Sequence, residues 1–205
     1  MSYLFDVSVN DQGVHISGPG VDEDGGSGQI VLYGSGPNAG QDLLTWCIDI
    51  FHWLAHSGTY IYNQQPSNNG SSPPDPPASG LLLGTINRIG ALIAYGNAHI
   101  NDSYDVSSGT QIAIWETEYS GLGYTFSGGA GAEAVAASLL VMDLPANPYW
   151  AGLTQTSQGL ATNQGLSTEV GPPSTPETTP APAPASLALL AVGLGGLGII
   201  RRRRP

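Results

Sequence analysis

Hydrophobic and polar positions alternate over the first part of the chain. From Tyr3 to Val9 every second residue is apolar, a pattern typical of a strand with one buried face. Short apolar runs predict further strands over 29–34, 43–51 and 58–62. The acidic, glycine-rich segment 22–28 favours a turn.

In the second half of the chain the apolar spacing becomes that of helices. The stripe that predicts the first helix, over 81–95, consists of Leu82, Ile86, Ile89 and Ile93. Ser107 or Ser108 is expected to cap a second helix that carries 111–119. The segment 133–142 predicts a third helix. Strands followed by helices indicate an α+β fold, with β-sandwich or barrel-like strands and a small helical subdomain.

The C-terminal segment differs in composition from the rest. Residues 185–200 carry no charge, and four arginines follow them: Arg201, Arg202, Arg203 and Arg204. A helix of this length spans about 24 Å, less than the ~30 Å hydrocarbon core of a bilayer. The terminal positive charge places its C-terminus in the cytoplasm. We therefore predict a C-terminal hydrophobic helix, either an ordinary membrane anchor or part of a sorting signal.

These changes in composition divide the chain into three parts. We expect a globular domain over 1–153, a linker rich in Pro, Thr and Ser over 154–184, and a membrane or sorting segment over 185–205. The first ten residues contain neither the positive charge nor the apolar run of a secretory signal peptide. We therefore expect the true N-terminus of the protein to lie upstream of Met1.

The charge balance excludes one class of partner. The net charge is −11, there is no lysine, and apart from the terminal arginines only Arg88 is basic. Without the four terminal arginines, sixteen acidic residues face one basic residue, a net charge of −15. Binding to nucleic acid requires a basic face, so we predict no nucleic-acid partner.

The C-terminal segment resembles the PEP-CTERM sorting signal of Gram-negative bacteria. The matching residues are Pro182, Ala183, Pro184, Leu187, Leu189, Leu190, Gly193, Leu194 and the four terminal arginines. Ala183 stands where that signal usually has Glu. The resemblance implies export and an exosortase-type sorting enzyme as partner. It also implies anchoring in the inner membrane before processing, and then display at the cell surface or in the extracellular matrix.

One cysteine and one glutamine are the candidate reactive groups. Cys47 is the single cysteine, so it is either an inert core residue or a reactive group. It lies in the motif Trp46-Cys47-Ile48-Asp49. The segment from Thr110 to Trp115 (TQIAIW) places Gln111 among apolar residues, 64 positions later.

Together the two motifs resemble the bacterial Cys–Gln thioester domain of the TQXA type. In that family an aromatic residue or Leu precedes Cys, followed by an aliphatic residue and Asp or Asn. A Thr-Gln-x-Ala-aliphatic-Trp motif comes much later. The supporting positions carried over here are Trp46, Asp49, Thr110, Ala113 and Trp115. Trp46 stands where the family usually has Tyr, Phe or Leu.

The resemblance implies an internal thioester. The Cys47 sulfur would attack the side-chain carbonyl of Gln111 and expel ammonia. An amine or hydroxyl on a surface ligand would then take the acyl group and release the thiol. Each molecule would react once, so the protein would not be an enzyme in the turnover sense, and no cofactor is implied. The aromatic residues expected to shield the bond from water are Trp46, Trp53, Trp115 and Tyr119.

Other chemistry and one other function stay open. Asp49, His52 and His56 have the spacing of one helix face and could hold a metal ion, although polar residues lining a loop are the interpretation that we favour. We therefore predict no metal site. The alternative function is a non-reactive structural or extracellular-matrix protein that reaches the surface by the same PEP-CTERM route.

Overall fold

The fold is described from a computed structural model. The described residues are 2–6, 11–34, 36, 39–52, 54, 59–66, 81–99, 101–154, 156–157, 160–161 and 165–170. In chain order the first strands are β1 (Ser2–Asp6), β2 (Asp11–Gly18), β3 (Val21–Gly28), β4 (Ile30–Gly34), β5 (Leu43–Cys47), β6 (Thr59–Ile61) and β7 (Asn63–Pro66). They are followed by α1 (Leu83–Ala98), α2 (Tyr104–Glu118), β8 (Thr125–Ser127), α3 (Ala130–Val141), β9 (Trp150–Thr154), β10 (Thr156–Ser157), β11 (Leu160–Ala161) and β12 (Leu166–Glu169).

The largest sheet has seven antiparallel strands in the order β6-β1-β4-β5-β12-β9-β7. The strand β5 lies between β4 and β12, and Cys47 at its end is opposite Leu166 of β12. β12 comes from the segment expected to be a linker, yet it pairs with both β5 and β9. The boundary expected at residue 153 therefore falls inside the sheet.

The second sheet contains β3, β2 and β8. The expectation of a turn over 22–28 was wrong, because Val21–Gly28 pairs with β2 along its whole length, from Asp11 opposite Gly28 to Gly18 opposite Val21. Pairing with β2 satisfies the backbone of a segment whose composition alone disfavours a strand. The acidic side chains of this outer strand point largely to solvent, as is common for charged residues on sheet edges.

The described part of the chain contains three helices, and α2 is the most extensively packed of them. The predicted first and third helices are confirmed as α1 and α3. The cap expected at Ser107 or Ser108 was wrong, because α2 begins one turn earlier and Ser103 Oγ accepts a hydrogen bond from the Val106 N–H at 3.1 Å. α2 packs against α1, α3 and all three strands of the second sheet. This position surrounds α2 with protein and explains its extensive burial.

The α+β prediction is confirmed by the antiparallel sheets and three helices of the described residues. The core joins sheet residues such as Leu32 and Trp46 to helix residues such as Leu92, Ile112 and Ile114, all nearly inaccessible. The expected hydrophobic helix over 185–200 lies outside the described residues. Within the part of the chain that is described, no helix combines the length and apolar character needed to cross a membrane.

Candidate functional site

Cys47 and Gln111 meet in the buried centre of the fold. The Gln111 Oε1 accepts a hydrogen bond from the Cys47 backbone N–H at 2.8 Å, and its Nε2 donates to the Cys47 carbonyl, also at 2.8 Å. The orientation of the amide follows from chemistry, because the backbone N–H can only donate and the carbonyl can only accept. The amide carbon of Gln111 is therefore held beside the residue that carries the thiol.

Hydrogen bonds from the start of α2 fix the register that places Gln111. The Gln29 backbone N–H donates to Ser107 Oγ at 3.0 Å, and the hydroxyls of Ser27 and Ser108 are hydrogen-bonded to each other. All four of these residues are buried. Ser107 and Ser108 are thus docking residues within α2, although the sequence suggested that one of them capped the helix.

Two close contacts also fix the site: α2 packs against α3 at Gly109, and α1 packs against Trp46 at Gly96. A Cβ built on Gly109 of α2 would lie 2.6 Å from the Ala132 carbonyl oxygen, so only glycine permits this approach of α2 to α3. A Cβ on Gly96 of α1 would lie 2.3 Å from the Trp46 ring. The Trp46 indole N–H donates to Asn97 Oδ1 at 3.0 Å, and the residue before Cys47 is therefore fixed by both packing and hydrogen bonding.

Asp49 organises the segment that follows Cys47. Its buried carboxylate accepts hydrogen bonds from the Phe51 N–H at 2.9 Å and the Gly165 N–H at 3.1 Å. The same carboxylate lies 2.8 Å from His52 Nδ1. The Cys47 thiol donates to the Asp49 carbonyl at 3.1 Å. Asp49 therefore holds residues 47–52 in one arrangement and ties them to the residue before β12.

The environment keeps the Cys47 thiol protonated. Burial raises the pKa of the thiol well above its usual value, and the negative charge of Asp49 raises this pKa further. A protonated thiol is a weak nucleophile towards external reagents, so Cys47 is protected from adventitious oxidation or alkylation.

Two polar groups on the same face of α2 lack hydrogen bonds. Among the described residues, the Trp115 Nε1 and both carboxylate oxygens of Glu118 are buried and have no partner. Burial, together with the charge of Asp49, raises the pKa of Glu118 well above its usual value. Tyr119, next to it, donates its hydroxyl to the Ile48 carbonyl at 3.2 Å. The second half of α2 thus carries, close to the cysteine segment, an acid whose neutral form is favoured by its surroundings.

A cavity of about 190 Å³ is lined by both Cys47 and Gln111. This exceeds the ~150 Å³ of an engineered protein cavity that binds benzene, so a small side chain or ligand fits. The lining residues include Cys47, Gln111, Trp115, His52 and Gln29. Asp11, Glu23 and Asp24 belong to the same lining. The lining therefore includes both apolar and acidic residues.

The remaining predicted residues have supporting or undescribed positions. Thr110 donates its hydroxyl to the Val106 carbonyl at 2.8 Å, and Ala113 is fully buried beneath the site. Residues outside the described part of the chain include Trp53, His56, Pro182, Pro184, Arg201, Arg202, Arg203 and Arg204. Within the described residues, no cluster of three or more His, Cys, Asp or Glu side chains could hold a metal ion.

The sequence analysis did not identify Gln29, Asn97 or Glu118. The Gln29 Nε2 donates to Asn97 Oδ1 at 2.8 Å, so Asn97 joins the loop after β3 to the indole of Trp46. Nothing in the sequence marks these two residues. Glu118 follows Gln111 by seven residues, about two helical turns, so its position on the same face could have been read from the spacing.

The fold is similar to that of a bacterial thioester domain. The N-terminal thioester domain of a surface protein from Clostridium perfringens aligns with a TM-score of 0.50 and 10% identity, over 83% of this chain and 99% of that chain. A cysteine-to-alanine mutant of such a domain from the same organism aligns with a TM-score of 0.47 and 13% identity, over 70% and 89% of the two chains. No family model matches the sequence, and no curated protein is significantly similar to it.

Proposed function

We propose that this chain is an exported, surface-displayed domain that captures a partner covalently through a Cys47–Gln111 thioester. The observation that carries the proposal is the pair of 2.8 Å hydrogen bonds between the Gln111 amide and the backbone of Cys47. They hold the amide carbon beside the cysteine, which is the proximity that an intramolecular acyl transfer needs. The similarity of fold to a thioester domain supports the same proposal.

Formation of the thioester is a balanced exchange. The Cys47 sulfur bonds to the side-chain carbon of Gln111, the C–N bond of the amide breaks, and the thiol proton leaves with the nitrogen as ammonia. Capture reverses the roles of sulfur and nitrogen. A nucleophile bonds to the same carbon, the C–S bond breaks, and Cys47 recovers its proton. The partner stays attached to Gln111, so each molecule acts once.

The surroundings favour a long-lived thioester. Cys47 and Gln111 are almost inaccessible to water, which limits hydrolysis. A leaving group with a raised pKa departs less readily, and the Cys47 thiol has this property because of its burial and of Asp49. The bond is therefore expected to open when a nucleophile enters the cavity rather than in bulk water.

The acidic lining favours amines over hydroxyls as partners. Asp11, Glu23 and Asp24 line the cavity that reaches Cys47 and Gln111, and carboxylates attract a protonated amine while it approaches. The chain itself has no lysine that could compete. A lysine side chain or another primary amine on a foreign surface is therefore the preferred ligand class.

Display at the surface is proposed from the C-terminal motif. The segment 185–205, with Pro182 and Pro184 before it and four arginines at its end, supports recognition by an exosortase-type enzyme after anchoring in the inner membrane. Processing there would release the domain, with its linker, to the cell surface or the extracellular matrix.

A labelled primary amine tests the proposal. Relative to the mass of its sequence, the wild-type chain should gain the mass of the amine minus ammonia, at Gln111. Cys47→Ala and Gln111→Ala should show no gain over the masses of their own sequences. Asp143→Asn, a change at an exposed position outside the cavity, is the matched control and should label like wild type. Equal labelling of all four chains, or of none, would favour the non-reactive structural role.

A further inference from the structure

The geometry points to His52 as the base that accepts the proton of the incoming nucleophile when the thioester opens, with Asp49 as its positioning residue. This inference rests on the proposed function. His52 lines the cavity that Cys47 and Gln111 also line. It belongs to neither of the two motifs that carry the thioester resemblance, so its role follows from its placement alone.

The Asp49 carboxylate determines which ring nitrogen is basic. His52 Nδ1 lies 2.8 Å from Asp49 Oδ2, and the same carboxylate accepts the backbone N–H groups of Phe51 and Gly165. Two backbone N–H groups already donate to this carboxylate, and an ionised carboxylate can only accept, so Nδ1 is the ring nitrogen that donates to it. The basic nitrogen of His52 is therefore Nε2.

Two other histidines provide an internal comparison. His99 Nδ1 lies 2.8 Å from Asp102, and His15 Nδ1 lies 2.8 Å from Asp24. The side chains of those aspartates are 56% and 90% exposed, whereas that of Asp49 is 0% exposed. A buried carboxylate fixed by two backbone donors holds an imidazole more rigidly than a solvated one. Neither His15 nor His99 lines the cavity.

The proton transfers balance. The amine nitrogen bonds to the side-chain carbon of Gln111 and becomes positively charged, and His52 Nε2 accepts one of its protons. The C–S bond breaks, and the sulfur of Cys47 takes up the proton from the imidazolium ring. The products are an amide at Gln111, a thiol at Cys47 and a neutral His52, so no further reactant is needed. The same base serves a hydroxyl nucleophile.

The competing interpretation is that His52 only closes the loop 47–52 on Asp49. A structural role would lower the folded fraction or the thioester content. A proton-transfer role would lower the rate of capture while leaving both unchanged. General bases of this kind contribute about 10²–10⁴-fold to a rate, an effect large enough to separate the two roles.

The experiment uses the full chain with His52→Ala and His52→Gln, and His99→Ala as the matched control. Intact mass first gives the fraction that has lost ammonia, and the rate of methylamine incorporation is then measured with and without added imidazole. We expect unchanged thioester content in all chains and a rate at least about 10²-fold lower in both His52 variants. Added imidazole should restore part of the rate in His52→Ala only.

Asp49→Asn gives a second, independent measurement. An asparagine side chain can present its amide N–H₂ to His52, which favours the wrong tautomer, so the capture rate should fall at unchanged thioester content. Added imidazole should not restore it, because the His52 ring still fills its place. Unchanged rates in the His52 variants, or a loss that follows the thioester content and is not rescued, would overturn the role of His52 alone. A wild-type chain without the loss of ammonia would overturn the proposed function and this role together.

Discussion

The two halves of the buried face of α2 differ in how their polar groups are satisfied. In the first half, Ser107, Ser108 and Gln111 all make hydrogen bonds to other elements. In the second half, the Trp115 Nε1 and the Glu118 carboxylate have no partner among the described residues. The polar residues of both halves lie on one helix and are similarly buried, so burial alone does not explain the difference in hydrogen bonding.

The first half of α2 positions the Gln111 side chain, whereas the second half contributes to the environment of Cys47. Satisfied polar networks specify one geometry, and the first half of α2 holds the Gln111 amide against Cys47. Buried polar groups without partners are rare and costly, and they concentrate where environment sets reactivity. The second half of α2 carries such groups, Trp115 and Glu118, close to the cysteine segment.

The largest effect is expected from removing the Gln111 amide. In a Cys47→Ala chain, where no thioester can form, Gln111→Ala leaves the N–H and carbonyl of residue 47 without partners. Each unsatisfied buried group costs about 1–3 kcal/mol, so the loss of both partners should lower the free energy of unfolding by about 2–6 kcal/mol. Denaturant unfolding measures the loss.

A pH series on Glu118→Gln tests the second half of the helix. Burial raises the pKa of Glu118 above its ordinary value of 4.5, so the native state holds this proton where the unfolded state has lost it. Wild-type stability should then fall, relative to Glu118→Gln, as the pH rises above about 5, by at most ~1.4 kcal/mol per pH unit for one proton. Denaturant unfolding from pH 5 to 8 measures the difference.

The exposed Asp143 provides the control for that series. The difference between wild type and Asp143→Asn should stay constant from pH 5 to 8. A wild-type curve parallel to that of Glu118→Gln would show that Glu118 is ionised in the native state. The contrast between the two halves of α2 would then be lost.

A smaller effect is expected from the first half of α2. Ser107→Ala removes the acceptor of the Gln29 N–H and should lower the free energy of unfolding by about 1–3 kcal/mol. Ser138 of α3 also donates its hydroxyl to a backbone carbonyl, but it is exposed, so Ser138→Ala should cost less than about 0.5 kcal/mol. Equal losses in the two variants would show that the docking hydrogen bond contributes nothing beyond helix formation.

Elements with a clear hydrophobic period were predictable from the sequence. Strands that form only by pairing with distant parts of the chain were not. The apolar stripe of α1 is local, and the helix was predicted correctly. The strand Val21–Gly28 forms because β2 pairs with it, and β12 enters the sheet between β5 and β9 more than 100 residues after β5. Neither partner can be deduced from local composition.

The candidate site was predictable only through its motifs. Nothing in the 63 residues between Cys47 and Gln111 shows that they meet, because the contact requires β5 and α2 to pack across the core. The resemblance to thioester domains supplied the pair. From the sequence, His52 was a candidate metal ligand or, as we favoured, a polar residue lining a loop, and nothing in the sequence showed its contact with the buried Asp49.

The most direct test of the central claim is the intact mass of the folded wild-type chain, with alkylation of the cysteine measured under denaturing conditions. A thioester between Cys47 and Gln111 predicts a mass lower by one ammonia and no alkylation, while Gln111→Ala keeps its full mass and is alkylated. A wild-type chain that keeps its full mass and is alkylated at Cys47 would contradict the account.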